Sequence, residues 1–156
     1  MDRRLKLADG VMLTSDEIPL DAVVRSVAHP GTGATVLFLG TVRDIGEEGR
    51  VRSITYEAYV PLAEKSLAEI RRAALRRWPV KKVSIVHRFG RLRLQDVSVA
   101  IAVSSAHRAE AFEACRFAIE KIKEAVPIWK RETLATGKGV WVKGKEIVEA
   151  SSGTRR

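Results

Sequence analysis

The chain has 156 residues, 28 Lys and Arg against 19 Asp and Glu, and a formal net charge of +9. Its composition, 46% hydrophobic and 30% charged, suits one compact domain, expected over 1–150 with a polar tail at 151–156. No apolar run approaches the roughly 20 residues that cross a bilayer, and the single cysteine, Cys115, excludes an internal disulfide or a cysteine-rich metal site.

The first ten residues lack the long apolar core of a signal peptide, so a cytoplasmic location is expected. Leu5, Leu7, Val11 and Leu13 alternate with polar neighbours around Asp9-Gly10, which predicts a hairpin-like start. Thr14, Ser15 and Asp16 are capping types, and Pro19 suits an early helical position. A short helix is expected over 20–28, ended by His29-Pro30-Gly31. Residues 33–43 read as a strand apolar on both faces, expected at the centre of a sheet. Gly40 permits close approach of backbone or ligand, and Arg43 stands where the strand runs out. The charged segment 44–50 carries Gly46 and Gly49 and is expected to be a mobile loop.

A second strand is expected over 51–60, then a helix from Pro61 to about 77 with Ala63, Leu67, Ile70 and Ala74 as its buried stripe. Arg71, Arg72, Arg76 and Arg77 make its far side and end basic, which suits a helix C-terminus. Trp78-Pro79 stops it. Val83, Ile85 and His87 alternate with Ser84, Val86 and Arg88 in a third strand. After a loop through Gly90 and Gln95-Asp96, residues 97–105 put Val97, Val99, Ile101 and Val103 on one face. Ser98, Ala100, Ala102 and Ser104 share the other, over which a helix should pack closely. Short strands at 129–134 and 140–143 follow a long helix. Consecutive strands with short connections predict mostly antiparallel pairing and an α+β class.

That long helix carries the chemistry. On a wheel of 100° per residue, Phe112, Cys115, Ile119, Ile122 and Val126 share one arc, widened by Ala111 and Ala118. Lys123 falls about 40° from Ile119, on the edge of the apolar stripe, with Arg116 on the same edge. Lys123 either lays its methylenes on the core and reaches water, or sits in a partly dry cleft where it serves as nucleophile, base or proton donor. Cys115 reads as a small core residue. Ser105 is a candidate N-cap, with His107 and Arg108 in the first turn. Two cations at a helix N-terminus oppose the dipole, which fits a bound phosphate or carboxylate as well as a solvated turn. Pro127 breaks the helix, and Trp129 can fix the exit. Beyond it, Lys130 and Glu132 fall on one side and Arg131 on the other.

Six segments recur in order and spacing: Phe38-Leu39-Gly40-Thr41-Val42-Arg43, Tyr56-Glu57-Ala58-Tyr59, His87-Arg88, Ser105-Ala106-His107-Arg108, Ala111-Phe112-Glu113-Ala114, and Lys123 with Pro127-Ile128-Trp129-Lys130-Arg131-Glu132. On these the chain resembles the large, catalytic subunit of molybdopterin synthase, over about residues 19–146. The resemblance implies an α/β-hammerhead type of α+β fold with three main helices, and a homodimer within a heterotetramer. Each end would bind a small ubiquitin-like subunit whose thiocarboxylated Gly-Gly tail enters the pocket. The implied reaction makes molybdopterin, the dithiolene ligand of molybdenum cofactor, from cyclic pyranopterin monophosphate (precursor Z). It is a sulfurtransferase reaction delivering two sulfurs, with no cofactor or metal held by this chain. The implied substrate contacts are Thr41, Val42, Arg43, His107, Arg108, Lys123, Lys130, Arg131 and Glu132. Lys123 and Lys130 are the implied catalytic residues, and His107 and Arg108 would reach the neighbouring protomer's pocket.

The family often carries an arginine where this chain has Lys145, so Lys145 is not placed in the site. The rival reading is a nucleic-acid-binding domain, motivated by the net charge and the cluster at 71–77. It leaves Lys123 and the exit at Pro127 and Trp129 unexplained; the resemblance expects neither nucleic acid nor membrane.

Overall fold

Residues 7 and 10–142 are described in the computed structural model. The elements are β1 (Val11–Thr14), α1 (Leu20–Ser26), β2 (Ala34–Thr41), β3 (Ile45–Gly46), β4 (Gly49–Ala58), α2 (Val60–Arg77), β5 (Val80–Arg88), β6 (Gly90–Arg93), β7 (Val97–Ser105), α3 (Arg108–Ala125), β8 (Ile128–Leu134) and β9 (Gly139–Val142). They form two sheets. The first has the order β1-β5-β7-β2, and the second β3-β4-β8-β9 with β6 also on β4. Only β1 and β5 pair in parallel. The α+β, mostly antiparallel class with three helices is as expected.

The first sheet is covered on both faces, and β7 shows why. Val99, Ile101 and Val103 face α2 and α3, where they join Leu67, Ala74, Ala111 and Ala118 in the main core. Ala100 and Ala102 face the other way, under Val23 and Val27 beside α1. Small residues there let α1 lie close to the sheet, as the alternation predicted. Ile101 is fully buried between its partners Phe38 and Ile85. Its truncation to alanine should lower the free energy of unfolding by about 3 kcal/mol, measured by denaturant titration. The inner side of the second sheet holds a separate cluster of Val42, Val51, Ile54, Leu92 and Leu134.

Several expectations change. β2 lies at the sheet edge rather than the centre. Val36 and Phe38 pack on the main core, while Leu37 on its other face is 36% exposed. The segment after β2 is no open loop: Ile45 pairs with Arg50 and Gly46 with Gly49 in a tight hairpin. Gly49 turns it with φ 127°, a value that favours glycine. β6 occupies part of the expected loop after Gly90 and pairs with β4. β1 pairs with β5; most of the expected first hairpin arm, including Leu5 and Asp9, lies outside the described residues. So do Lys145 and the tail at 151–156. Thr14 accepts the Asp16 N–H at 3.0 Å in a local turn, and α1 starts after Pro19 without a side-chain cap.

Part of the basic cluster of α2 is occupied with structure. Arg71 Nε donates to the Val83 carbonyl at 2.7 Å. Arg77 lies 4.8 Å above the Trp78 ring and 5.5 Å from that of Phe117. These contacts account for two of the four arginines that motivated a nucleic-acid reading. Among the described residues, no helix is long and apolar enough to cross a membrane.

Candidate active site

α3 buries Ala111, Ala114, Cys115, Ala118 and Ile122. The buried stripe is therefore turned towards the alanines, and Phe112, expected inside, is 60% exposed. The alanines face in because α3 lies close on the sheet, where a phenyl ring has no room. This rotation leaves Ile119 and Lys123 at the border of the stripe, and both line a cleft between the two sheets. Arg116 instead lies in solvent, paired with Glu120 at 2.9 Å. Cys115 behaves as core: burial pushes its thiol up to about 11, so it carries little thiolate at neutral pH.

The cleft has a volume of about 620 Å³. β2 brings Gly40, Thr41 and, just past its end, Arg43; α3 brings Lys123; and β8 brings Lys130 and Glu132. Pro127 ends α3, so β8 leaves at once and crosses back beside β4. Of β8, Ile128, Trp129, Lys130 and Glu132 line the cleft. Lys130 is opposite Tyr56 and Glu132 opposite Ile54, all four lining the cleft. Trp129 is half-exposed rather than a buried fixing point. Arg131 pairs with Thr55 and Trp141 and does not line the cleft; its guanidinium lies against Gly139.

Val42 is also turned away. Its side chain is 1% exposed in the second core. Its N–H donates to Asp96 O at 3.0 Å, and its carbonyl accepts from Gln95 N at 2.8 Å. The N–H is therefore not free for a ligand.

His107 and Arg108 are exposed at the start of α3. His107, not Ser105, is the N-cap residue; Ser105 is the buried end of β7. At 1.5 Å per residue, Arg108 lies about 22 Å along the axis from Lys123. One chain therefore does not bring this pair to its own cleft.

Cations crowd the cleft mouth. Lys123 is an exposed residue overall, yet partial burial of the ammonium, then the charges of Lys130 and Arg43, hold its pKa below the usual lysine range. Glu132 is only 7% exposed and its carboxylate presses on Gly46. A side chain at 46 would meet that carboxylate and push it aside, so glycine there lets the β3 hairpin and Glu132 share the cleft.

Three lining residues, Tyr56, His87 and Ser98, were not expected in the site. His87 interrupts an apolar strand and Tyr56 shares the alternation of Ile54, patterns that fit core as well as a site. The pairing of β2 with β7 slips between Gly40 and Thr41, and Ser98 reaches the Gly40 carbonyl at 3.2 Å. His87 is 6% exposed, and burial lowers its pKa to about 4, helped by nearby Lys123. Between about pH 4 and 6.5 the unfolded chain binds the extra proton. The associated stability is therefore present above pH 6.5 and lost as pH falls towards 4. It amounts to about 3 kcal/mol. Stability curves of His87→Gln against pH should lack this slope.

A family model described as MoaE protein matches residues 13–125. The molybdopterin synthase catalytic subunit of Halalkalibacterium halodurans is 49% identical over 125 residues, covering 80% of each chain. That of Bos taurus is 40% identical over 147 residues, covering 94% of this chain and 78% of its own. The X-ray structure of molybdopterin synthase from Staphylococcus aureus superimposes with a TM-score of 0.82 at 38% identity, over 88% of this chain and 99% of that one.

Proposed function

Because this chain belongs to the MoaE protein family and is a catalytic subunit of molybdopterin synthase, we propose that the cleft beside Lys123 is where sulfur reaches the pterin. The observation that carries this reading is the convergence of Lys123, Lys130 and Arg43 on one cleft from α3, β8 and the end of β2. Three cations around a hollow of this size suit a substrate with a cyclic phosphate and an attacking anion.

The sulfur donor in this reading is the thiocarboxylated C-terminal tail of a small ubiquitin-like partner. Its sulfur forms a C–S bond to the side chain of cyclic pyranopterin monophosphate as the C–O bond to the cyclic phosphate breaks and that ring opens. Water then cleaves the resulting thioester, so the tail leaves as a carboxylate and the sulfur stays on the pterin. Lys123, its ammonium made more acidic by burial and by Lys130 and Arg43, orients the thiocarboxylate and exchanges protons with the reacting centre. Lys130 offsets the charge that develops as the phosphate ester opens. Thr41 and Glu132 border the bound substrate. Val42 and Arg131 contribute through the strands they hold, since neither side chain lines the cleft.

His107 and Arg108 complete the pocket of a second protomer. Their distance from their own Lys123 supports a homodimer in which each protomer supplies both ends of α3 to different sites. Two small partners then make a heterotetramer, and a cytoplasmic enzyme is the setting that suits a thiocarboxylate donor. The test mixes this protein with the thiocarboxylated partner and follows complex formation and molybdopterin production. A 2:2 complex that turns over supports the reading; a complex without product contradicts it.

A further inference from the structure

The cleft floor carries a polar group that the reaction above does not use. His87 stands on β5, and its ring meets Tyr56 edge-on, with centroids 5.3 Å apart and planes at 75°. Nδ1 lies 2.8 Å from the Arg88 carbonyl oxygen. A carbonyl oxygen only accepts, so Nδ1 carries the ring proton and Nε2 is left as a bare acceptor. No hydrogen bond to Nε2 forms among the described residues. Burial keeps the ring neutral at physiological pH.

Ser98, beside it, donates to the Gly40 carbonyl at 3.2 Å. Glu132 adds a carboxylate. His87 and Glu132 thus give the floor two acceptors, whereas Lys123, Lys130 and Arg43 make the mouth cationic.

We propose that His87 is a substrate-binding residue whose Nε2 accepts a ring N–H of the pterin, seating the heterocycle on the floor and turning its phosphate to the cationic mouth. The inference rests on the pterin reading of the cleft given above. A reduced pterin presents several N–H donors along one edge, which matches acceptors at His87 Nε2 and the Glu132 carboxylate.

The test compares wild-type protein, His87→Phe and His87→Gln, each checked for folding by circular dichroism. Equilibrium binding of cyclic pyranopterin monophosphate gives Kd, and turnover with the thiocarboxylated partner gives KM and kcat. His87→Phe should raise Kd and KM about tenfold and leave kcat within about threefold. Gln, whose amide oxygen accepts, should recover most of the loss. If Phe disturbs the strand, His87→Met gives the same readout. A Kd for Phe or Met within twofold of wild type overturns the proposal. So does a fall in kcat at unchanged KM, which would place Nε2 on the Lys123 ammonium instead. Wild-type protein that binds the pterin but makes no molybdopterin contradicts the catalytic reading, and the Kd values still decide the role of His87.

Discussion

Replacing Lys123 by alanine should leave a folded protein whose molybdopterin production falls by about a thousandfold or more. Folding is expected to survive because Lys123 lies at the border of the α3 stripe and is an exposed residue overall. Alanine is also the strongest helix former. Activity should not survive, since no other cation of the cleft comes from α3. Lys123→Arg separates charge from proton transfer. A guanidinium keeps the positive charge but does not release a proton in water, so it should recover binding of the pterin and little turnover. The pH profile adds a signed test. Lys130 and Arg43 both depress the Lys123 pKa. In Arg43→Gln, whatever rate remains should therefore depend on an ionisation moved to higher pH. Single-turnover rates across pH measure both effects, and near-normal turnover by Lys123→Ala would remove Lys123 from the mechanism.

The second large effect is a gain. His107→Ala and Lys123→Ala homodimers should each be inactive. A heterodimer of the two has one pocket carrying both lesions and one carrying neither, if His107 serves the neighbouring protomer. Random reassociation of equal amounts makes half the dimers mixed, so about a quarter of wild-type activity should return. Differently tagged protomers, refolded together and purified through both tags, should show about half. Verified heterodimers without recovery would place His107 and Lys123 in the same pocket or remove His107 from catalysis.

Much of the fold was legible because alternation and helical spacing are local. β7 and α2 followed their patterns closely, and the small face of β7 correctly called for a close helix. The position of β2 was not legible. An apolar strand looks the same at the centre of a sheet as at an edge covered mainly on one face, because pairing is a long-range property. α3 was misread in rotation for a similar reason. Phe112, Cys115, Ile119, Ile122 and Val126 mark one arc, but close packing on the sheet buried Cys115 and Ile122 with the alanines and left Phe112 outside.

The site was legible where a residue broke a pattern. Lys123 stood beside an apolar stripe, and Lys130 followed a proline. Strand alternation separated Lys130 and Glu132 from Arg131, and the cleft lining follows that division. Val42 was drawn in by its place in a motif, yet its side chain and both backbone groups are used inside the fold. His87 and Tyr56 went unassigned because a buried histidine and tyrosine on strands read equally well as core. Only the meeting of β4, β5 and β8 around one hollow distinguishes them.

The central claim is that this cleft moves sulfur from the partner's tail onto the pterin. The most direct measurement supplies the partner as a thiocarboxylate labelled with heavy sulfur and weighs the molybdopterin formed by the purified complex. Both dithiolene sulfurs should carry the label, with none appearing when Lys123→Ala replaces the wild-type chain. Unlabelled product from the wild-type complex, or equal labelling by the Lys123→Ala complex, would contradict it.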